Sequence, residues 1–266
     1  MYPILARYGP FFLYSYTVVL AVGIAAGIGL AFWRRRGRQG SLAWLDGLLV
    51  GLVAGLIGGR AGFVWLEWAY FVERPSQILQ FPQGGLNYHS ALLAGLLAWW
   101  GWTVWRKRPF IPDADLLAPS FALVSAFGWL ACWLEGCGYG RAAPSGHWLA
   151  ADLPDTFGVY AWRYQTQLLG IGLSLLVFLW ALRRQRHWPP GRALWFVIFA
   201  LSLGRVGVNM LRGDPAIEIA ARQIGSLRAD IILDSAFAIL SLILLKYNAH
   251  KIITYTKDNE TNLHET

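Results

Sequence analysis

Long apolar runs, each closed by a short polar or basic group, alternate along the chain with polar connections. Phe11 to Trp33 carries no charge, and at about 1.5 Å per helical residue it can cross a hydrocarbon core roughly 30 Å thick. Arg34, Arg35, Arg36 and Arg38 follow directly. A second span lies within Leu42–Phe71, rich in Gly47, Gly51, Gly55, Gly58, Gly59 and Gly62, which let helices approach closely. The third, Tyr88–Trp105, ends in Arg106, Lys107 and Arg108, and the fourth covers Ala114–Leu134. The fifth, Gln167–Leu182, ends in Arg183, Arg184 and Arg186; Ala193–Leu211 makes the sixth and Ile231–Tyr247 the seventh, before Lys246, Lys251 and Lys257. The pattern predicts an all-α, polytopic membrane helix bundle of about seven transmembrane helices.

With that number of crossings, all four basic clusters fall on one side, which the positive-inside rule makes cytoplasmic. The short N-terminus is then periplasmic and the C-terminus cytoplasmic, in a bacterial inner membrane. Glu73–Asn87, Glu135–Tyr164 and Gly213–Ala229 are the outer segments where a small periplasmic head can form. The expected organisation is a membrane domain over 1–247 and a poorly ordered, cytoplasmic polar tail over 248–266, with no internal repeat.

Composition supports lipid as the solvent. Hydrophobic residues make up 56% of the chain and charged residues 14%, against about 25% charged in soluble domains. The 15 tryptophans and 11 tyrosines suit the membrane interface. A net charge of +8 would otherwise suggest nucleic acid, but its basic residues sit where topology places them, so no nucleic-acid partner is expected. Two cysteines cannot form a disulfide framework. The first apolar run has no basic leader or small-residue cleavage site and reads as a retained span.

Several polar residues interrupt the apolar runs. Arg60 and Arg205 lie inside spans, where a charge costs a few kcal/mol on insertion scales of about 2.5–3.5. His89 opens the third span, Gln167 the fifth, and Arg212 and Asp214 close the sixth. Guanidinium groups bind phosphate through paired hydrogen bonds, so an anionic lipid headgroup is the expected ligand. Acidic residues within the spans are few: Asp46, Glu67, Asp115, Asp230 and Asp234. Asp230 and Asp234 are read as partners of Arg228, which leaves the buried arginines without an obvious protein counter-ion. His89 is a candidate base, with a helix cap or interface residue as the plainer reading. Cys132 and Cys137 flank Gly136; a continuous helix keeps them too far apart for a disulfide, a break at the glycines could join them, and small unreactive apolar residues are the preferred reading over a thiol role.

Taken in order, Gly9-Pro10-Phe11-Phe12-Leu13-Tyr14-Ser15-Tyr16, Gly58-Gly59-Arg60-Ala61-Gly62, Gly84-Gly85-Leu86-Asn87-Tyr88-His89, Glu135 to Arg141, Tyr164 to Leu168 and Arg205 through Arg212-Gly213-Asp214 resemble the successive motifs of the prolipoprotein diacylglyceryl transferases. The resemblance implies a seven-span fold with the N-terminus outside. It also implies transfer of the diacylglyceryl group of phosphatidylglycerol to the lipobox cysteine of a prelipoprotein, recognised through its signal peptide. On that basis His89 is a candidate base, Arg60 and Arg205 would hold the headgroup and departing phosphate, and Tyr16, Gly140, Arg141, Gln167, Asn209 and Arg212 would bind or orient substrate. Neither a metal nor a cofactor is implied, and a monomer is expected. Where the family carries an arginine, an asparagine and a glutamate, this chain has Trp129, Cys132 and Cys137; Asn209 replaces a glutamate, and Leu201 stands at the sixth-span tyrosine. Two alternatives therefore stay open: a lipid-group transferase with another acceptor, using a cysteine of its own, or a non-catalytic relative that binds anionic lipid or a partner.

Overall fold

The computed structural model describes residues 2–9, 11–36, 42–81, 85–155, 157–214 and 228–264, as backbone alone at 11 and 248–264. Gly84, Arg38, the side chains of Lys251 and Lys257, and most of the outer segment 213–229 lie outside the described residues. Helices dominate: α1 (Ser15–Arg35), α2 (Ala43–Leu66), the short α3 (Trp68–Val72), α4 (Tyr88–Trp105), α5 (Phe110–Glu135), α6 (Thr166–Arg184), α7 (Arg192–Leu211) and α8 (Ala229–His264). Among the described residues, five helical stretches are long and apolar enough to cross a membrane: Ser15–Arg35, Ala43–Leu66, Phe110–Glu135, Thr166–His187 and Arg192–Leu211. The fold is thus that of a polytopic all-α membrane protein.

Each expected span coincides with a helix, and α4 has the expected bounds. Local chemistry sets the ends. Asn87 caps α4 through Oδ1, which accepts from Ser90 N at 2.9 Å. Arg34 and Arg35 close α1, and Arg183 and Arg184 close α6, where cations oppose the negative end of the helix dipole. Three features differ from expectation. Phe11–Tyr14 is a strand, β2, paired antiparallel with β1 (Ile4–Tyr8), so α1 starts at Ser15. The second apolar run breaks at Glu67, separating α2 from α3. The last helix continues past Tyr247 to His264.

The chain divides into two compact units: 1–36, 114–214 and 234–266, and 37–113 with 215–233. In the first, Ala118 and Ala122 of α5, Val177 and Ala181 of α6, and Ala193, Val197 and Leu201 of α7 form a buried cluster. Small residues bring these helices close enough for dispersion contacts, which drive helix association in lipid where no hydrophobic force remains. The Ser120 hydroxyl donates to the Gly27 carbonyl at 2.8 Å, tying α5 to α1. Asp115 accepts from the backbone N–H of Gly191 and, at 2.8 Å, of Leu194, so a carboxylate on α5 caps α7.

In the second unit, α2 and α4 pack along the glycine stripe expected from sequence. A Cβ added at Gly51 would sit 3.2 Å from the Gly95 carbonyl oxygen, and one at Gly95 would sit 2.9 Å from that of Gly51. Backbone therefore touches backbone, which larger residues at either position would prevent.

Candidate functional site

In the first unit, the segment after α5 is built around backbone hydrogen bonds. Gly136 (φ 93°) and Gly138 (φ 66°) adopt left-handed conformations that stop the helix and turn the chain. The turn brings the Cα atoms of Cys132 and Cys137 to 4.7 Å, and the two form a disulfide. The reading of these cysteines as small apolar residues or a reactive thiol is therefore corrected: the glycine break supplies the geometry that a continuous helix denies.

The residues that follow are stitched to the start of α6 and the end of α7. Thr166 Oγ1 donates to the Gly138 carbonyl at 2.7 Å and Gln167 Nε2 to that of Cys137 at 3.1 Å. Arg141 N donates to the Leu211 carbonyl and Gly213 N to that of Tyr139, both at 2.8 Å. Gly140 bridges to Arg212, and a side chain at Gly140 would collide with the Tyr164 carbonyl. Gln167, expected to orient substrate, is thus a fully buried tie between α6 and this turn. Arg141 is exposed, with its guanidinium carbon 5.8 Å from the Tyr164 ring centre. Beyond the turn, strands β3 (Ala150–Pro154) and β4 (Tyr160–Tyr164) form a hairpin, fastened by an Arg163–Asp155 ion pair at 3.1 Å.

Beside this turn lies a chain of charged and polar groups. Arg205 Nε donates to both carboxylate oxygens of Asp234, at 3.1 and 3.3 Å. Asn209 Nδ2 donates to Asp234 Oδ2 at 2.8 Å, and Arg212 Nη1 to Asn209 Oδ1 at 3.1 Å. Arg212 also grips Asp214 through Nε, at 2.8 Å, and Nη2. Asp234 is completely buried. The expectation that Arg205 lacks a protein counter-ion is corrected, because α8 delivers Asp234 to it. Asp230 pairs with Arg228 at 3.0 Å as expected, but Asp234 does not follow it. An acid within the last apolar run was the signal: buried charges in membrane helices face partners inside the bundle. Trp129 covers the same arginine, its ring centre 5.7 Å from the guanidinium carbon. Leu201 is buried in the α5–α6–α7 cluster. Tyr16 stands in the first turn of α1, in the same unit as Arg205.

The second unit holds Arg60 and His89. Arg60 is almost fully buried and is held by the segment before α4: Nε donates to the Ile78 carbonyl at 2.8 Å, Nη2 to that of Gln77 at 2.6 Å, and Nη1 to that of Gly85 at 3.2 Å. The rings of Phe63, Phe71 and Phe81 surround its guanidinium at 5.3–5.9 Å. Carbonyl dipoles and aromatic faces replace the water that the cation loses. His89 is buried one residue inside α4, edge-on to Tyr88. Its backbone position is fixed by Asn87, whose N–H donates to the Gly59 carbonyl at 2.9 Å and whose side chain holds Ser90. Within its motif Asn87 carries no assigned role in the sequence, although an Asn ahead of an apolar run is a helix-start signal.

Comparison with known proteins places these clusters in a family context. Residues 3–247 match the family model for prolipoprotein diacylglyceryl transferase. The chain is similar to proteins named phosphatidylglycerol--prolipoprotein diacylglyceryl transferase: 29% identical to that of Parasynechococcus marenigrum over 80% of this chain and 81% of the relative; 30% to that of Corynebacterium efficiens over 84% and 76%; and 27% to that of Symbiobacterium thermophilum over 92% of both.

Proposed function

The chain belongs to the prolipoprotein diacylglyceryl transferase family, and from that premise we infer that it is a bacterial inner-membrane transferase moving the diacylglyceryl group of phosphatidylglycerol to the lipobox cysteine of a prelipoprotein. The observation that carries this reading is the match over residues 3–247, which takes in nearly all of the helices. In the reaction the thiol gives up its proton, its sulfur forms a bond to the glyceryl carbon, and the bond from that carbon to the phosphate oxygen breaks, releasing glycerol phosphate. A base is needed because the thiolate is the nucleophile, and cations must hold the charge that develops on the phosphate.

The two polar clusters supply those chemistries. His89, fixed at the start of α4, takes the thiol proton. Arg205 and Arg212, aligned by Asp234, Asn209 and Asp214, hold the phosphate, and Tyr16, in the first turn of α1, orients the substrate. Arg60 acts by shaping the segment that leads to His89, because its donors already engage Gln77, Ile78 and Gly85. Gly140 lets the turn approach Tyr164. The enzyme works as a monomer and meets its acceptor through the signal peptide. It is oriented with the N-terminus periplasmic and the C-terminus cytoplasmic. The Cys132–Cys137 disulfide supports that orientation, since disulfides persist in the oxidising periplasm, while the arginines closing α1 and α6 belong to the opposite ends of their helices.

One observation favours a second reading, in which the lipid group goes to a different acceptor. Trp129 takes a position where the family pattern carries an arginine, so an indole ring stands against Arg205 in place of a second cation. Complementation of a transferase-depleted cell, with mass spectrometry of a reporter lipoprotein, separates the two. A thioether-linked diacylglyceryl group on the reporter is expected; its absence with the protein correctly inserted overturns the first reading. A reporter enzyme active only in the cytoplasm should work when fused within 34–39 and fail within 151–155, and the reverse would overturn the orientation.

A further inference from the structure

The basic end of α1, the end of α6 and the turn that follows it border a half-open cavity of about 280 Å³, lined by Trp33, Arg34, Leu182, Arg183, Arg186 and His187. Three of these six side chains are arginines and none is acidic. Arg34 is aimed by its Nη1, which donates to the Leu116 carbonyl at 2.7 Å. The neighbouring carboxylate, Asp115, is turned to the N–H groups of Gly191 and Leu194 at the start of α7, so its charge is directed at the helix end. Arg183 and Arg186 are exposed, so they remain open to an anion, and one bound among the three guanidinium groups gains from all of them at once. Arginine favours a phosphate in this role, because its planar donors match the phosphate oxygens.

The surroundings indicate how such a phosphate arrives. On α6, Leu176, Leu179 and Arg183 follow at i, i+3 and i+7 and share one face of the helix. Leu176 and Leu179 are exposed, as are Leu175 and Trp180 beside them and Phe32 and Trp33 on α1. On membrane-crossing helices such residues are the surface that meets acyl chains, and an indole at a helix end sits at headgroup depth. An apolar strip thus leads along the helix to a cationic cavity, an arrangement suited to a ligand with chains and a phosphate at one end.

We propose that this cavity binds the phosphate of an anionic phospholipid in the leaflet reached by the arginine-bearing ends of α1 and α6. The site shares no residue with the clusters assigned to transfer and needs nothing from that reaction. Binding there anchors the two helix ends to a headgroup and holds one lipid after bulk lipid is removed.

The test uses the full-length protein, delipidated in detergent and titrated with dioleoyl phosphatidylglycerol, dioleoyl phosphatidylcholine or soluble glycerol 3-phosphate under native mass spectrometry. Adducts held elsewhere on the protein serve as the internal reference. Each arginine removed should weaken phosphatidylglycerol retention roughly fivefold, and R183Q/R186Q about 25-fold. The R183K/R186K pair should recover part of the loss. R184Q, on an adjacent residue that does not line the cavity, should change retention by less than about twofold. Phosphatidylcholine retention should not respond to any of these changes. Equal weakening by R184Q would mean diffuse surface charge, equal retention of glycerol 3-phosphate would mean a soluble phosphate site, and unchanged retention in R183Q/R186Q with an unaltered melting curve would mean no site; each overturns the proposal.

Discussion

Arg205 on α7 and Arg60 on α2 are both guanidinium groups carried inside apolar helices, but the first faces the carboxylate of Asp234 and the second a collar of backbone carbonyls and phenyl rings. Carboxylate pairing joins two helices through charge, and the pair is stable only while both charges are present. Carbonyl capture joins a helix to a connecting segment through dipoles, and those dipoles belong to backbone that no substitution removes. The consequences of losing each arginine should therefore differ in size and in place.

The largest effect is expected at the first. Arg205→Ala takes the cation away from the buried Asp234 carboxylate, which keeps its hydrogen bond from Asn209 but loses the charge it faces, and should cost about 3–5 kcal/mol in unfolding measurements in detergent. Arg205→Ala with Asp234→Ala should recover a substantial part of that loss, because removing both charges also removes their desolvation cost. If the double variant is no more stable than the single, Asp234 is not what Arg205 neutralises.

Arg60→Ala should cost less, about 2–3 kcal/mol, since the carbonyls of Gln77, Ile78 and Gly85 lose their donors while the connecting segment can take up water. The readout that separates the two regions is hydrogen exchange. Faster exchange over 77–89 is expected in the Arg60 variant, with the ends of α7 and α8 unchanged. Arg60→Lys should recover little, because one ammonium cannot reproduce a fork of donors. Full recovery would reduce Arg60 to a simple positive charge.

At the end of α5 the disulfide closes a short loop, so Cys132→Ser with Cys137→Ser should cost about 2 kcal/mol by loop entropy. Transfer should survive at reduced thermal tolerance, and a thiol-alkylating reagent should label the wild type only after reduction. Loss of all turnover at permissive temperature would revive a thiol role in catalysis. The smallest change is expected for Asp214→Asn, about 1–1.5 kcal/mol, because the asparagine carbonyl oxygen can still accept from Arg212 and Arg212 keeps its bond to Asn209. A loss as large as that of Arg205→Ala would show that Arg212 and Arg205 form a single charge network.

Sequence by itself determined where the helices run, because an apolar run long enough to cross lipid with a basic group after it has few other ways to satisfy its backbone. The motifs that carry the family resemblance were legible too, being short and ordered along the chain. What only the tertiary structure decided was which polar group meets which. Asp234 reaches Arg205 across a gap of 29 residues, while Arg60 is answered by carbonyls, a feature every residue shares and no sequence pattern marks. The cysteines joined because Gly136, in left-handed conformation, turned the chain between them, and a helical register alone forbids that contact. The hairpin β1–β2 was hidden for a related reason: Phe11–Tyr14 is as apolar as the helix it precedes, and only pairing with Ile4–Tyr8 distinguishes strand from span.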